Sequence, residues 1–266
     1  MTARSAVQAQ DTTIPANVFA SKTKIKVENR RGWNIVDDSI TTLFFENKSN
    51  GGRIATLVNF GAHPTILSSD NSMLSSDYVH SLREAIEFES GGMTLFLNGI
   101  LGDSHFKTDN RELSEASRIG NEAARLVLES EKKRKKIDGD LKITTLPFTQ
   151  QVTNRQIIAL YNNNALDIDL NDNNEINTKI LHGTIGKNLS FISFPGEALT
   201  RLGLPIKKNM KGDFKLFFGL SNASYGYFIP NDEFLKVSGR NTEEVFSMDE
   251  NAGTNIKNVI IDHLKK

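Results

Sequence analysis

Four short segments carry the side chains of this sequence that could bind a metal or attack a carbonyl. They are NFGAHPT at 59–65, LNGILGDSH at 97–105, FPGEA at 194–198 and SNASYGYF at 221–228. Between them they supply His63, Glu197, Tyr225, Tyr227 and the cluster Asp103, Ser104 and His105. An imidazole nitrogen, a carboxylate and a phenol are donors that suit zinc. Zinc polarises a carbonyl and lowers the pKa of a bound hydroxyl or water. Taken singly, each segment also has a plainer reading. A histidine before proline reads as a hydrogen-bonded turn, and PGE reads as a helix start with its glutamate at the positive end of the dipole. The two tyrosines also read as packing groups with hydrated hydroxyls. From the residues alone the four loops support an α/β protein with metal-assisted hydrolysis as one reading.

The elements that must position these loops are legible as periodicities. Each segment follows an apolar run of strand character, and in open α/β sheets the loops at strand ends carry ligand chemistry. Runs at 24–28, 41–46, 53–60, 93–98, 141–149, 179–186, 188–194 and 214–220 read as strands. The NKSNGG stretch between the second and third is a hairpin-type turn. Helices are expected near 2–10, 77–89, 111–136, 154–161, 197–209 and 253–265. Ser75 or Ser76 is placed to cap the second of these. The KKRKK run at 132–136 should close the third at the negative end of its dipole. The tract at 162–177 superficially resembles a calcium loop, but Asp172 stands where such a loop needs glycine and Thr178 where it needs glutamate. A surface insertion is the expectation there. The alternation predicts one α/β domain with a mixed, largely buried β-sheet flanked by helices.

Composition narrows the chemistry. The chain has 266 residues, no cysteine and 32 Lys+Arg against 32 Asp+Glu. A cysteine nucleophile, a thiolate metal site and a disulfide scaffold are excluded. The charge balance argues against nucleic acid as a partner. No run approaches the ~20 apolar residues of a membrane-spanning helix. The first residues lack the apolar stretch of a signal peptide.

In their order and context the four loops resemble the catalytic domain of the neutral/alkaline ceramidase family, over nearly the whole chain from the NRR segment at 29–31. The resemblance implies a zinc-dependent hydrolase of linear amides such as N-acylsphingosine. It implies His63, in NFGAHPT, as a zinc ligand, together with Glu197 of the PGE turn. Tyr227 of GLSNASYGYFIPNDEF is the implied third ligand and Tyr225 its runner-up. Arg30 matches the active-site arginine, and SSDY with Asp77 matches the stretch after the histidine. Ser104 is the implied nucleophile, with Asp103 orienting neighbouring donors. The implied partner is a small-molecule or lipid amide, which leaves association with a membrane surface open. The family is usually exported or membrane-associated.

Three departures from the family pattern accompany the resemblance. The family's other zinc histidine sits in a T-H-T-H-S-G-like segment upstream of the NRR region, and this chain begins after that point. The expectation is a domain incomplete on its N-terminal side, with an upstream fragment of the same enzyme as one partner. The nucleophile motif G-D-x-S-P is here GDSHF, which places His105 in the serine column. No tyrosine follows Tyr227 in this sequence, and the expectation is a chain without the family's C-terminal immunoglobulin-like domain. His80, His182 and His263 are read as solvated or structural. Two competing readings follow: an inactive remnant or binding module that keeps the fold, and a metal-free serine hydrolase pairing Ser104 with a histidine base.

Overall fold

The computed structural model describes residues 2–236 and 242–266. In chain order its elements are α1 (Thr2–Asp11), β1 (Ala16–Lys24), β2 (Glu28–Asn29), β3 (Ser39–Asn47), β4 (Arg53–Phe60), α2 (Tyr78–Ser90), β5 (Met93–Asn98), β6 (Ser104–His105), α3 (Leu113–Glu131) and β7 (Lys135–Ile137). There follow β8 (Leu141–Gln151), α4 (Arg155–Asn162), β9 (Glu175–Ile185), β10 (Leu189–Ser193), β11 (Glu197–Ala198), α5 (Thr200–Asn209), β12 (Phe214–Phe218), β13 (Tyr227–Phe228), a 3₁₀ turn at Asn231–Glu233, α6 (Thr242–Val245) and α7 (Ala252–Leu264). The α/β class with buried strands flanked by helices holds. The strands divide between two main sheets, ordered β5-β4-β3-β1-β7 and β12-β10-β9-β8, with two small pairs, β11-β13 and β2-β6. Both large sheets are mixed: β4 runs parallel to β5, and β10 parallel to β12.

Side chains alternate between the two faces of a strand, and here both faces are apolar. On β3 and β4, Phe44, Val58 and Phe60 pack with Leu82, Ile86 and Ala123 of α2 and α3. The intervening residues Leu43 and Leu57 turn to a second cluster, shared with Leu189, Leu216 and Phe218 of the other sheet. The far side of that other sheet is covered by α5 and α7 through Leu202, Ile206, Ile256 and Ile260. Asn59 ties the two sheets together. Its amide donates to the carbonyls of Leu97 (3.0 Å) and Phe217 (2.9 Å), and its oxygen accepts from the Phe217 N–H at 3.0 Å. No helix among the described residues is long and apolar enough to cross a membrane.

Several local expectations are corrected. The KIKVE run is not one strand: Lys24 ends β1 and Glu28 opens β2. Between them Ile25 and Val27 are buried in the cluster formed with α2 and α3, so the alternation there records burial of a link between two strands. The basic run does not close α3, which ends at Glu131. Arg134 instead pairs with Glu46 and Glu131, both at 2.6 Å, and Lys135–Ile137 adds to the sheet beside β1. Tertiary pairing outweighs local helix preference there. Asp77, rather than Ser75 or Ser76, caps α2, and it also holds the loop before the helix by accepting from the Leu67 N–H at 2.8 Å. The helix expected from residue 197 starts at Thr200, which leaves Glu197 on a short strand.

Candidate active site

Glu197 and Tyr227 are brought together by β11 and β13. The two strands run parallel, with Glu197 directly opposite Tyr227. The Glu197 N–H donates to the Gly226 carbonyl at 2.8 Å, and the Leu199 N–H to the Phe228 carbonyl at 3.2 Å. So close an approach needs glycine on both sides. A Cβ on Gly196 would meet the Gly226 carbonyl and the Phe228 ring, and Gly226 itself has φ of 75°. Tyr227 hydrogen-bonds the Glu197 carboxylate. Burial, then the charge of Glu197, pushes its phenol well above the ordinary range, with a smaller push from Glu243, while Arg30 pulls the other way.

His63 completes the group. Its Nε2 stands 2.9 Å from Glu197 Oε2. Its backbone N–H donates to the Ser104 carbonyl at 2.9 Å, which fixes the imidazole against the GDSH loop. The buried Tyr78 hydroxyl donates to the Ala62 carbonyl at 2.7 Å and holds the preceding residue. His63 Nδ1 is buried and has no hydrogen-bond partner among the described residues.

Asp103 is the knot of the GDSH loop. Its Oδ1 accepts from the Thr200 N–H at 2.8 Å and the Thr200 hydroxyl at 2.5 Å, and its Oδ2 accepts from Asn29 at 2.7 Å. Burial raises its carboxyl above the usual range, against the downward pull of those hydrogen bonds. Its own carbonyl accepts from the Arg30 N–H at 2.7 Å. Asp103 is thus a positioning group that joins β2, β6 and the start of α5. Sequence reasoning missed Asn29, whose amide also donates to Thr200 Oγ1 at 2.9 Å and to the Ile35 carbonyl at 3.1 Å. Its place in the NRR segment was its one signal.

The two arginines of that segment divide their work. The Arg31 side chain is buried and pairs with Glu244 at 2.9 Å and Glu243 at 3.5 Å. Arg30 is more exposed, lies 3.6 Å from Glu243 and lines the cavity. That cavity, of about 630 Å³, is bounded by Arg30, His63, Ser104, His105, Arg111 and Tyr227, among others. This volume lies within the range of small-molecule sites. Ser104 is buried, and its Oγ has no hydrogen-bond partner among the described residues. Among the described residues no histidine hydrogen-bonds this hydroxyl. His105 lies beside it with Nδ1 buried and unpartnered, its imidazole pushed down by burial and by Arg30 and Arg111 against an upward pull from Glu28.

Several sequence candidates fall elsewhere. Tyr225 packs in the core of the second sheet and hydrogen-bonds Thr178. Asp77 is spent on the α2 cap. His80 is exposed and pairs with Glu84, and His182 meets His263 with 3.0 Å between ring nitrogens. Among the described residues no group of three histidine, aspartate or glutamate side chains is placed to hold a metal; the group that meets Glu197 beside His63 is the phenol of Tyr227.

No family profile and no curated protein matches the chain. Solved structures do, and two of them are ceramidases. Neutral ceramidase from Pseudomonas aeruginosa superposes with a TM-score of 0.78 at 15% identity, over 98% of this chain and 54% of that one. A ceramidase complexed with C2 gives 0.75 at 15% identity, over 97% of this chain and 54% of that one. The chain thus has the fold of neutral ceramidase, over about half the length of those enzymes.

Proposed function

We propose that this chain is a ceramidase-like metallohydrolase acting on a linear N-acyl amide, with N-acylsphingosine or a related lipid amide as substrate. One observation carries the reading. In a ceramidase fold, Glu197 on β11 meets both His63 and its strand partner Tyr227, and His63 and Tyr227 line one cavity. An imidazole, a carboxylate and a phenol in contact form a donor set that fits zinc, and three protein donors leave a position for substrate or water. His63, Glu197 and Tyr227 would hold the ion. Zinc, when bound, supplies a Lewis acid for the carbonyl and lowers the pKa of a coordinated hydroxyl or water.

The chain's own groups supply the rest. Arg30 presents a cation to the cavity where negative charge gathers on the carbonyl oxygen. Ser104 presents a desolvated hydroxyl on the same wall and is the candidate nucleophile. Asp103, through Asn29 and Thr200, holds the loop that carries it. A binding module that keeps the fold is the second reading, favoured by the lack of any base on Ser104 among the described residues.

Metal content of the purified protein, together with hydrolysis of a fluorescent N-acyl amide panel with and without added zinc, separates the two. About one zinc per chain, lost in His63→Ala, with turnover of at least one amide, supports the hydrolase. A metal-free chain unaltered by His63→Ala removes the zinc site, and no turnover in either condition removes the enzyme.

A further inference from the structure

The cavity lining carries a charge that the proposed chemistry does not use. Arg111 lines the cavity, as do Thr108, Ser68 and Ser69. Its charge reaches the His105 ring, as does that of Arg30. The other arginines near this site each have a carboxylate partner: Arg30 lies 3.6 Å from Glu243, Arg31 2.9 Å from Glu244, and Arg201 2.9 Å from Asp232. Among the described residues no carboxylate lies within 4 Å of Arg111. Its sequence neighbour Glu112 is turned to the Ser114 hydroxyl at 3.4 Å. The acids at the cavity are already occupied. Asp103 is buried under three hydrogen bonds, and Glu197 faces His63 and Tyr227.

A guanidinium with no carboxylate partner among the described residues, in a cavity also lined by hydroxyl-bearing side chains, matches an anion. Guanidinium binds carboxylate or phosphate through parallel, charge-assisted hydrogen bonds. Serine and threonine hydroxyls can supply further donors. A neutral amide would leave the Arg111 charge facing the cavity with nothing to meet it. We propose that the substrate is an acyl amide with an anionic head group, a carboxylate or a phosphate, received by Arg111. This rests on the reading of the cavity as an amide site and narrows its substrate class to the related amides that carry an anion, away from neutral N-acylsphingosine.

Binding tests it separately from catalysis. Dissociation constants are measured for N-lauroylglycine, N-lauroyl-O-phosphoethanolamine and neutral N-lauroylethanolamine, with wild type, Arg111→Gln and Arg111→Lys. Arg111 is exposed, so both variants should fold, as circular dichroism will show. In wild type at low salt one or both anions should bind about tenfold tighter than the neutral amide, as one charge-assisted contact provides. The stronger anion identifies the head group. The preference should vanish in Arg111→Gln, survive in part in Arg111→Lys, and shrink at high salt because the site is open to solvent. Equal binding of all three probes, no binding of any, or a preference that persists in Arg111→Gln overturns the proposal. Products are assayed in the same samples. An anion preference without hydrolysis leaves Arg111 as the anion-binding group and removes the proposed function instead.

Discussion

Gly196→Ala is the sharpest perturbation of the site, because it acts on the contact between the strands that carry two of the three donors. A Cβ built on Gly196 lies 2.7 Å from a ring carbon of Phe228 and closer still to the Gly226 carbonyl oxygen, where ordinary contact begins near 3.4 Å. The neighbours must therefore retreat by about 0.7 Å or more. They are not free to do so. The same Gly226 carbonyl accepts the Glu197 N–H at 2.8 Å, and the Gly196 carbonyl accepts the Leu220 N–H at 3.0 Å. Phe228 is fully buried against Phe194, with ring centroids 5.0 Å apart. Overpacking costs about 1–3 kcal/mol, and a weakened backbone hydrogen bond adds about 1 kcal/mol. The total of roughly 2–4 kcal/mol corresponds to a fall in Tm of about 5–15 °C for a chain of this size. The functional loss should be larger in proportion, since a displacement near 1 Å at reacting groups costs on the order of 100-fold in rate. Urea unfolding, zinc titration and amide hydrolysis on one preparation measure all three. A variant with Tm within 2 °C of wild type and unchanged zinc affinity would refute the argument that this glycine sets the spacing of Glu197 and Tyr227.

Three further outcomes are expected. Asn59→Leu removes the bridge between the sheets and strands the buried N–H and carbonyl of Phe217. It should cost about 2–4 kcal/mol in urea unfolding, and a cost below 1 kcal/mol would show that the sheets dock without it. Ser104→Ala removes a buried hydroxyl that has no partner among the described residues, so stability should be unchanged or rise by up to about 1 kcal/mol. Its amide hydrolysis should fall at least 1000-fold, on the scale of loss of a nucleophile, and retained activity would assign the attack to water. Burial, then His263 and Lys211, depress the His182 imidazole. The unfolded chain therefore takes up more protons as pH falls below about 6.5, and stability should decline from there down to the lowered native value. The drop in urea midpoint between pH 7.5 and 5.0 should shrink in His182→Gln; an unchanged drop would assign it to other groups.

The sequence by itself determined the kinds and order of the elements wherever burial followed a local period. β3, β4, β5 and α2 stand within two residues of where alternation and helical spacing place them, since those patterns record which face is buried. It also offered His63, Glu197 and Tyr227 as candidate donors, because each sits in a short segment after an apolar strand. It could not show their meeting. Glu197 and Tyr227 are apposed by two-residue strands too short to leave a period, and PGE reads locally as a helix start. Asn29, Asp103 and Thr200 form one knot across separations of 74 and 171 residues from Asn29, through hydrogen bonds that no periodicity encodes. Arg30 and Arg31 are identical in type and adjacent in sequence. Only the position of Glu243 and Glu244 decides that one is buried in an ion pair while the other lines the cavity. The KKRKK run likewise reads as a helix end until Glu46, 88 residues away from Arg134, draws it into a strand. Local pattern reports burial and propensity. Pairing between distant segments is settled by shape and charge complementarity that exist only once the chain has folded.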